Sequence, residues 1–160
     1  MLLSSALAMM LAPNALAEEA LTTSVPRLSM ETALKMAQAA VDACRKEGIS
    51  ISVTVVDRSG LPQVQLRDTV APPVSWSISY KKAYTAVMFN MKGTDMERRM
   101  KNSPLNHLGE GLAFMGGSVP VAAGGRLYGA IGVSGAPSGE QDEKCARAGL
   151  EAVIDDLEMM

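Results

Sequence analysis

One histidine, two cysteines and a scatter of hydroxyl and carboxyl side chains are the groups in this sequence that could do chemistry. His107 has no nucleophile near it in the chain. Its two readings are a hydrogen-bonded loop residue and a metal ligand, a role that suits neutral imidazole. Cys44 and Cys145 belong to no Cys-x-x-Cys and no Cys/His cluster, which removes a zinc site of the usual spacing. They read as two buried thiols on helix faces, with a disulfide as the alternative that an oxidising compartment permits. Ser79-Tyr80-Lys81-Lys82 has the Ser-x-x-Lys spacing of acyl-transferring serine enzymes, but the partner signatures Ser-Asp-Asn and Lys-Thr-Gly are absent. Gly132-Val133-Ser134-Gly135 brings its second glycine one position too early for a nucleophile elbow. Gly129, Gly132 and Gly135 miss the dinucleotide fingerprint, and there is no Walker sequence. These patterns assign no catalytic residue.

The bulk properties narrow the field. A chain of 160 residues suits one domain. Its formal net charge is -2 with the lysines and arginines dispersed, so the basic footprint of a nucleic-acid binder is missing. One Trp, three Tyr and two Phe are too few for a base-stacking platform. Leu2 to Ala12 is an apolar run, and Ala15-Leu16-Ala17 is a small-x-small site followed by Glu18-Glu19. Residues 1–17 therefore read as a signal peptide, although no Lys or Arg precedes the run. The run is too short to span a membrane as a helix. Residues 18–27 form a flexible lead-in, residues 28–160 the domain, and the expected location is periplasmic or secreted.

Any site needs elements to hold it. Ser29 can cap a helix whose stripe is Met30, Leu34, Ala37, Val41 and Cys44, stopped by Gly48. Ile49 to Val56 alternates with period two and is rich in β-branched residues, as a strand requires. Asp57-Arg58-Ser59-Gly60 is a turn, and Leu61 to Arg67 returns as a second strand that Pro62 marks as an edge. A helix from Ser75 to Met91 buries Tyr80, Ala83, Tyr84, Val87 and Met91, with Lys81 and Lys82 on the other side and Gly93 ending it. Thr94-Asp95-Met96-Glu97 has the form of a capping box opening a short helix, which Asn102-Ser103-Pro104 breaks. Leu112 to Met115 is a candidate short strand. Ser118 to Ala123 and Arg126 to Ser134 form a hairpin on Gly124-Gly125. Ser138 caps a last helix with Ala146, Leu150, Val153 and Leu157 on its apolar face. Hairpin links and amphipathic helices give a layered domain with a mixed or antiparallel sheet.

Glycine weakens a strand, so Gly129, Gly132 and Gly135 must serve the close approach of a helix, a subunit or a ligand. The run Gly116-Gly117-Ser118-Val119-Pro120-Val121 and the run Gly129-Ala130-Ile131-Gly132-Val133-Ser134-Gly135-Ala136, with the trailing Asp142, resemble the GlcG/HbpS family of haem-binding and haem-degrading proteins. That family also takes in the C-terminal domain of the PduO adenosyltransferases. Val55-Val56-Asp57-Arg58-Ser59-Gly60, Arg67-Asp68 and Lys82-Ala83-Tyr84-Thr85-Ala86 agree with it in order, so the likeness covers about Leu28 to Leu157.

The resemblance implies an α+β fold: a profilin-like, five-stranded antiparallel sheet flanked by helices in α/β/α layers. It implies homo-oligomers up to octamers, haem as cofactor, and roles in redox sensing, haem handling or haem degradation. It points to Thr94 as a threonine-type iron ligand, a position also explained by the capping box. His107 is the other candidate ligand of the iron. Arg67, at a strand end, suits a propionate or another carboxylate, or a surface ion pair. Tyr84 could stack on a porphyrin or pack in the core. Two other functions stay open. In one, an enzyme acts on a small carboxylate, with Arg67 as clamp and Asp68 or Glu110 moving protons. In the other, an assembly subunit packs its glycine-lined strand against a neighbour and binds no ligand.

Overall fold

The computed structural model describes residues 21–107, 109 and 111–160, with His107 described in its backbone only. The signal-peptide reading, the start of the lead-in and Glu110 lie outside the described residues. Helix α1 (Met30–Lys46) leads into the hairpin β1 (Ser52–Asp57) and β2 (Pro62–Arg67). Helices α2 (Ser75–Phe89) and α3 (Gly93–Met100) and a 3-10 turn (Pro104–His107) follow. The hairpin β3 (Ser118–Ala123) and β4 (Arg126–Ser134) then precedes α4 (Gly139–Glu151) and α5 (Ile154–Glu158).

The sheet has four antiparallel strands in the order β2-β1-β4-β3. The expected fifth strand at Leu112 to Met115 is not formed: the segment is irregular, and the amide of Ala113 donates at 2.8 Å to Thr85 Oγ1 on α2. A hydroxyl thus satisfies a group that a strand would have paired.

Alternation along β1 divides the molecule into three layers. Val53 and Val55 face a core of aliphatic residues from α1 and α4. Ser52 and Thr54 face α2, sharing hydrogen bonds of 2.8 Å with Ser75 and Ser79. The first half of the α2 interface is therefore built from small and hydroxyl side chains and is held closely, while Val56, Ala83, Ala86, Val87 and Ala130 form an apolar cluster further along. At Gly132 a Cβ would stand 2.4 Å from Ser79 O and 2.5 Å from Ala83 N. What Gly132 admits is thus a helix of the same chain, whereas a Cβ at Gly129 would meet Val56 O of the neighbouring strand at 2.1 Å.

Ser29 caps α1 as expected, its hydroxyl accepting from the Thr32 amide at 3.1 Å. The buried stripe is rotated from the one predicted: Ala33, Met36, Ala37, Ala40, Val41 and Cys44 are covered, whereas Met30 and Leu34 are exposed. Arg45 holds the Asp68 carboxylate through two hydrogen bonds of 2.8 and 2.9 Å, which tie α1 to the end of β2. With the Thr69 amide, they lower the Asp68 pKa to about 2. Ser138 caps α4 through the Gln141 amide, but the last helix divides at Ala152 and Val153. No helix among the described residues is long and apolar enough to cross a membrane.

The two cysteines are not free thiols. Cys44 on α1 and Cys145 on α4 form a disulfide, Cα–Cα 5.6 Å, inside the core. Spacing alone favours free thiols because it does not reveal that two helix faces meet. The bridge closes a separation of 101 residues, and loops of that length lose the most chain entropy on cross-linking. Replacing both cysteines by alanine is expected to lower unfolding free energy by about 2–4 kcal/mol, measured by chemical denaturation. Reduction of the unaltered protein should reproduce most of that loss.

Candidate functional site

A cleft opens between α3 and the start of α4. Asn90, in the left-handed region at φ 46, ends α2 in place of the predicted stop at Gly93. Gly93 instead opens α3 and is buried, since a Cβ there would reach Met115 O at 2.5 Å and Ser118 Oγ at 2.9 Å. The capping box predicted at Thr94 and Glu97 does not form, because both residues have partners far away in sequence. Glu143 on α4 accepts from the Thr94 amide at 2.8 Å and from the Thr94 hydroxyl at 2.8 Å. Glu97 accepts from the Gly116 amide at 2.8 Å. A carboxylate from α4 thus satisfies a free N–H at the N-terminus of α3, where negative charge is favoured by the helix dipole.

The cleft between α3 and the start of α4 measures about 850 Å³. Thr94, Glu97, Arg98 and Lys101 line it from α3, and Glu140, Glu143 and Arg147 from α4. Phe114 and Met115 supply an apolar wall, and Asn106 closes one side. Asn106, Phe114 and Met115 also face a second space of about 390 Å³ that reaches Ile78 and Lys81 on α2. The charges are balanced but unequally committed. Glu143 is almost fully buried, with Arg147 at 3.6 Å, and Arg98 pairs with Asp95. Lys101 has no ion-pair partner among the described residues. The Glu140 carboxyl, on the first turn of α4, is held below its ordinary value by its own backbone N–H and by the Ser138 hydroxyl. No group of three or more His, Cys, Asp or Glu suited to a metal ion occurs among the described residues.

Behind this cleft lies an ion pair that the sequence reading placed wrongly. Lys82 is buried rather than on the outer face of α2, and its Nζ stands 2.8 Å from Asp142 Oδ2, with both side chains nearly dry. Asp142 Oδ1 accepts from the Ala136 amide at 2.9 Å. Burial pushes the Asp142 carboxyl above its ordinary value, against the pull of Lys82 and that amide. The pair joins helices on opposite faces of the sheet beside the start of β3. Gly117, at φ 120, leaves the room: a Cβ there would meet Lys82 Nζ at 2.6 Å and Asp142 Cβ at 2.8 Å.

The other predicted site residues do not gather here. Arg67 ends β2, at the sheet edge opposite β3, and its guanidinium donates to Ala71 O at 2.7 Å. Asp68 is committed to Arg45. Tyr84 lies over the turn after β1, where a Cβ on Gly60 would meet its ring at 2.6 Å, with Tyr80 at 6.0 Å between ring centroids. The backbone of His107 stands beside Asn106 in the 3-10 turn. Among Arg67, Tyr84, Thr94 and His107, only Thr94 lines the cleft with a described side chain. The sequence reading missed Glu143, Arg98 and Arg147 altogether; two adjacent acids on a helix, Asp142 and Glu143, were the available signal.

Comparison with known proteins identifies the family. Residues 28–151 match the model of the family described as haem degrading protein HbpS-like. The chain belongs to the HbpS-like family. A double mutant of HbpS from Streptomyces reticuli is 39% identical with a TM-score of 0.80, covering 89% of this chain and 97% of that one. A PduOC–haem complex is 27% identical with a TM-score of 0.73, covering 79% of this chain and 94% of that one. An uncharacterized 15.0 kDa protein in the dhaT-dhaS intergenic region of Citrobacter freundii is 29% identical over 132 residues, 79% of this chain and 92% of its own.

Removing one member of a buried pair strands the other. Lys82→Met is expected to cost about 3–5 kcal/mol at neutral pH, with a smaller loss for Lys82→Met combined with Asp142→Leu. The single-mutant penalty should shrink on acidification, since a protonated Asp142 carries no charge to be left unpaired. Denaturant titrations across pH check both points.

Proposed function

We propose that this chain binds haem in the cleft between α3 and α4, as an exported, homo-oligomeric protein serving haem sensing, handling or degradation. The observation that carries the reading is the make-up of the cleft. A hydroxyl that donates to a carboxylate stands near an apolar wall and among cationic side chains. Haem asks for each of these: an oxygen or nitrogen at the iron, an apolar surface for the macrocycle, and cations for two propionates. Thr94 would supply the oxygen, Phe114 and Met115 the surface, and Lys101, Arg98 and Arg147 the charge. The volume of about 850 Å³ lies within the range of roughly 300–1,000 Å³ usual for small-molecule sites. His107 remains the second candidate ligand, because its neighbour Asn106 lines the cleft. Bound haem would bring a redox-active iron; the chain's own residues hold it, orient it and set its charge environment.

Arg67 and Tyr84 are not part of this reading, since both are engaged elsewhere. The same commitments weaken the carboxylate-enzyme reading, whose clamp Arg67 and acid Asp68 are tied to Ala71 and Arg45. Export is supported by the disulfide, a bond that persists in oxidising compartments.

Self-association is supported by the outer side of α2. Trp76, Tyr80, Tyr84 and Met88 follow one another at helical spacing, and Trp76 and Met88 are 44% and 43% exposed. Val74 and Leu61 add exposed apolar surface. Light scattering after size exclusion should give a multiple of the monomer mass that Trp76→Asp lowers; a monomeric parent protein would remove this part of the reading.

The binding itself is tested by titrating the purified protein with hemin. The expected result is a shifted, saturable Soret band, with affinity lowered at least about tenfold, or 1.4 kcal/mol, by Thr94→Val. His107→Ala, titrated alongside, reports which residue serves the iron. A parent protein that gives no saturable band would overturn the proposal.

A further inference from the structure

The Thr94–Glu143 contact contains more than a helix cap. Capping α3 requires one carboxylate oxygen for one amide, and Glu143 Oε2 fills that role at 2.8 Å from Thr94 N. The other oxygen, Oε1, accepts a hydrogen bond from the Thr94 hydroxyl at 2.8 Å. Glu143 is 2% exposed, so its charge is little screened by water. Its cationic neighbour Arg147 is half exposed and stands 3.6 Å away, beyond hydrogen-bond range. With its proton committed to Glu143, Thr94 presents only lone pairs to the cleft. An alcohol oxygen hydrogen-bonded to a carboxylate gains anionic character, and charge-assisted bonds of this kind are the stronger ones.

We propose that Glu143 is a positioning residue that makes Thr94 a hard, anion-like oxygen and gives the cleft a preference for porphyrins carrying a trivalent metal over those carrying a divalent one. This rests on the cleft being the haem site. Hard oxygen donors favour hard cations, and a buried negative charge near the metal favours the more positive centre. Ferric haem would then be the form retained and ferrous haem the form released. No covalent step is involved; the hydroxyl proton stays shared between Thr94 Oγ1 and Glu143 Oε1.

The test uses two redox-inert probes of the same macrocycle, gallium(III) and zinc(II) protoporphyrin IX, titrated by fluorescence into the unaltered protein, Glu143→Gln and Thr94→Val. Metal-free protoporphyrin IX is the control. Thr94→Val keeps the amide bond to Glu143, so it remains informative if Glu143→Gln disturbs α3; circular dichroism and thermal unfolding report the fold of each. The expected result is that the gallium-to-zinc affinity ratio falls about tenfold or more in both variants, with the metal-free control unchanged. A ratio unmoved in both, with both probes bound, overturns the inference while leaving the haem site standing. A ratio that falls in Thr94→Val but not in a folded Glu143→Gln overturns the role of Glu143. No binding of any porphyrin by the unaltered protein overturns the haem reading, and this inference with it.

Discussion

Where β3 begins and β4 ends, a lysine and an aspartate with almost no exposure to water face each other at 2.8 Å. Neither charge is tolerable there alone, because the desolvation of a single buried ion costs several kcal/mol. Lys82 belongs to α2 on one face of the sheet and Asp142 to α4 on the other, so the pair fixes the two outer layers to each other. The next residue after Asp142 is Glu143, which holds the first turn of α3 through the amide and hydroxyl of Thr94. A line of polar contacts therefore runs from α2 through α4 to α3, and the cleft between α3 and α4 lies along its last link.

The glycines make this line possible. Gly132 lets α2 rest on β4 close enough for hydroxyl pairs to form beside the apolar cluster there, and Gly117 vacates the space that Lys82 and Asp142 occupy. On the opposite face the core is aliphatic, and the Cys44–Cys145 bridge joins α1 to α4 within it. Helix α4 is thus held twice, covalently toward α1 and electrostatically toward α2. That suits an element carrying one wall of a binding cleft, because geometry there is set by the supporting structure rather than by exposed loops.

Much of the fold was legible because local signals and tertiary packing agreed. The β-branched alternation of β1, the turn at Asp57 to Gly60, the hairpin on Gly124-Gly125 and the Ser29 and Ser138 caps all appear as read. The errors share one cause. The Thr94-to-Glu97 spacing fits a local capping box, yet each residue finds a partner distant in sequence, and a pattern confined to four residues carries no information about that. Lys82 was read as solvated because lysine usually is; its partner lies 60 residues away. The fifth strand was lost to the Thr85 hydroxyl, and the disulfide was underestimated since helical periodicity does not say which faces meet. For the site, the family likeness drew attention to Thr94, while the carboxylate beside it, the cations and the apolar wall came only with the fold.

The proposed haem site rests on a specific combination: an oxygen donor tied to a buried carboxylate, an aromatic and thioether wall, and cationic side chains. The most direct measurement is a crystal structure of the protein with hemin, using the iron's anomalous scattering to locate the metal. A peak between α3 and α4, within bonding distance of Thr94 Oγ1 and with Phe114 and Met115 beside the macrocycle, is the predicted result. A peak on the outer face of α2, at the β1–β2 turn or beside Arg67 would contradict the account.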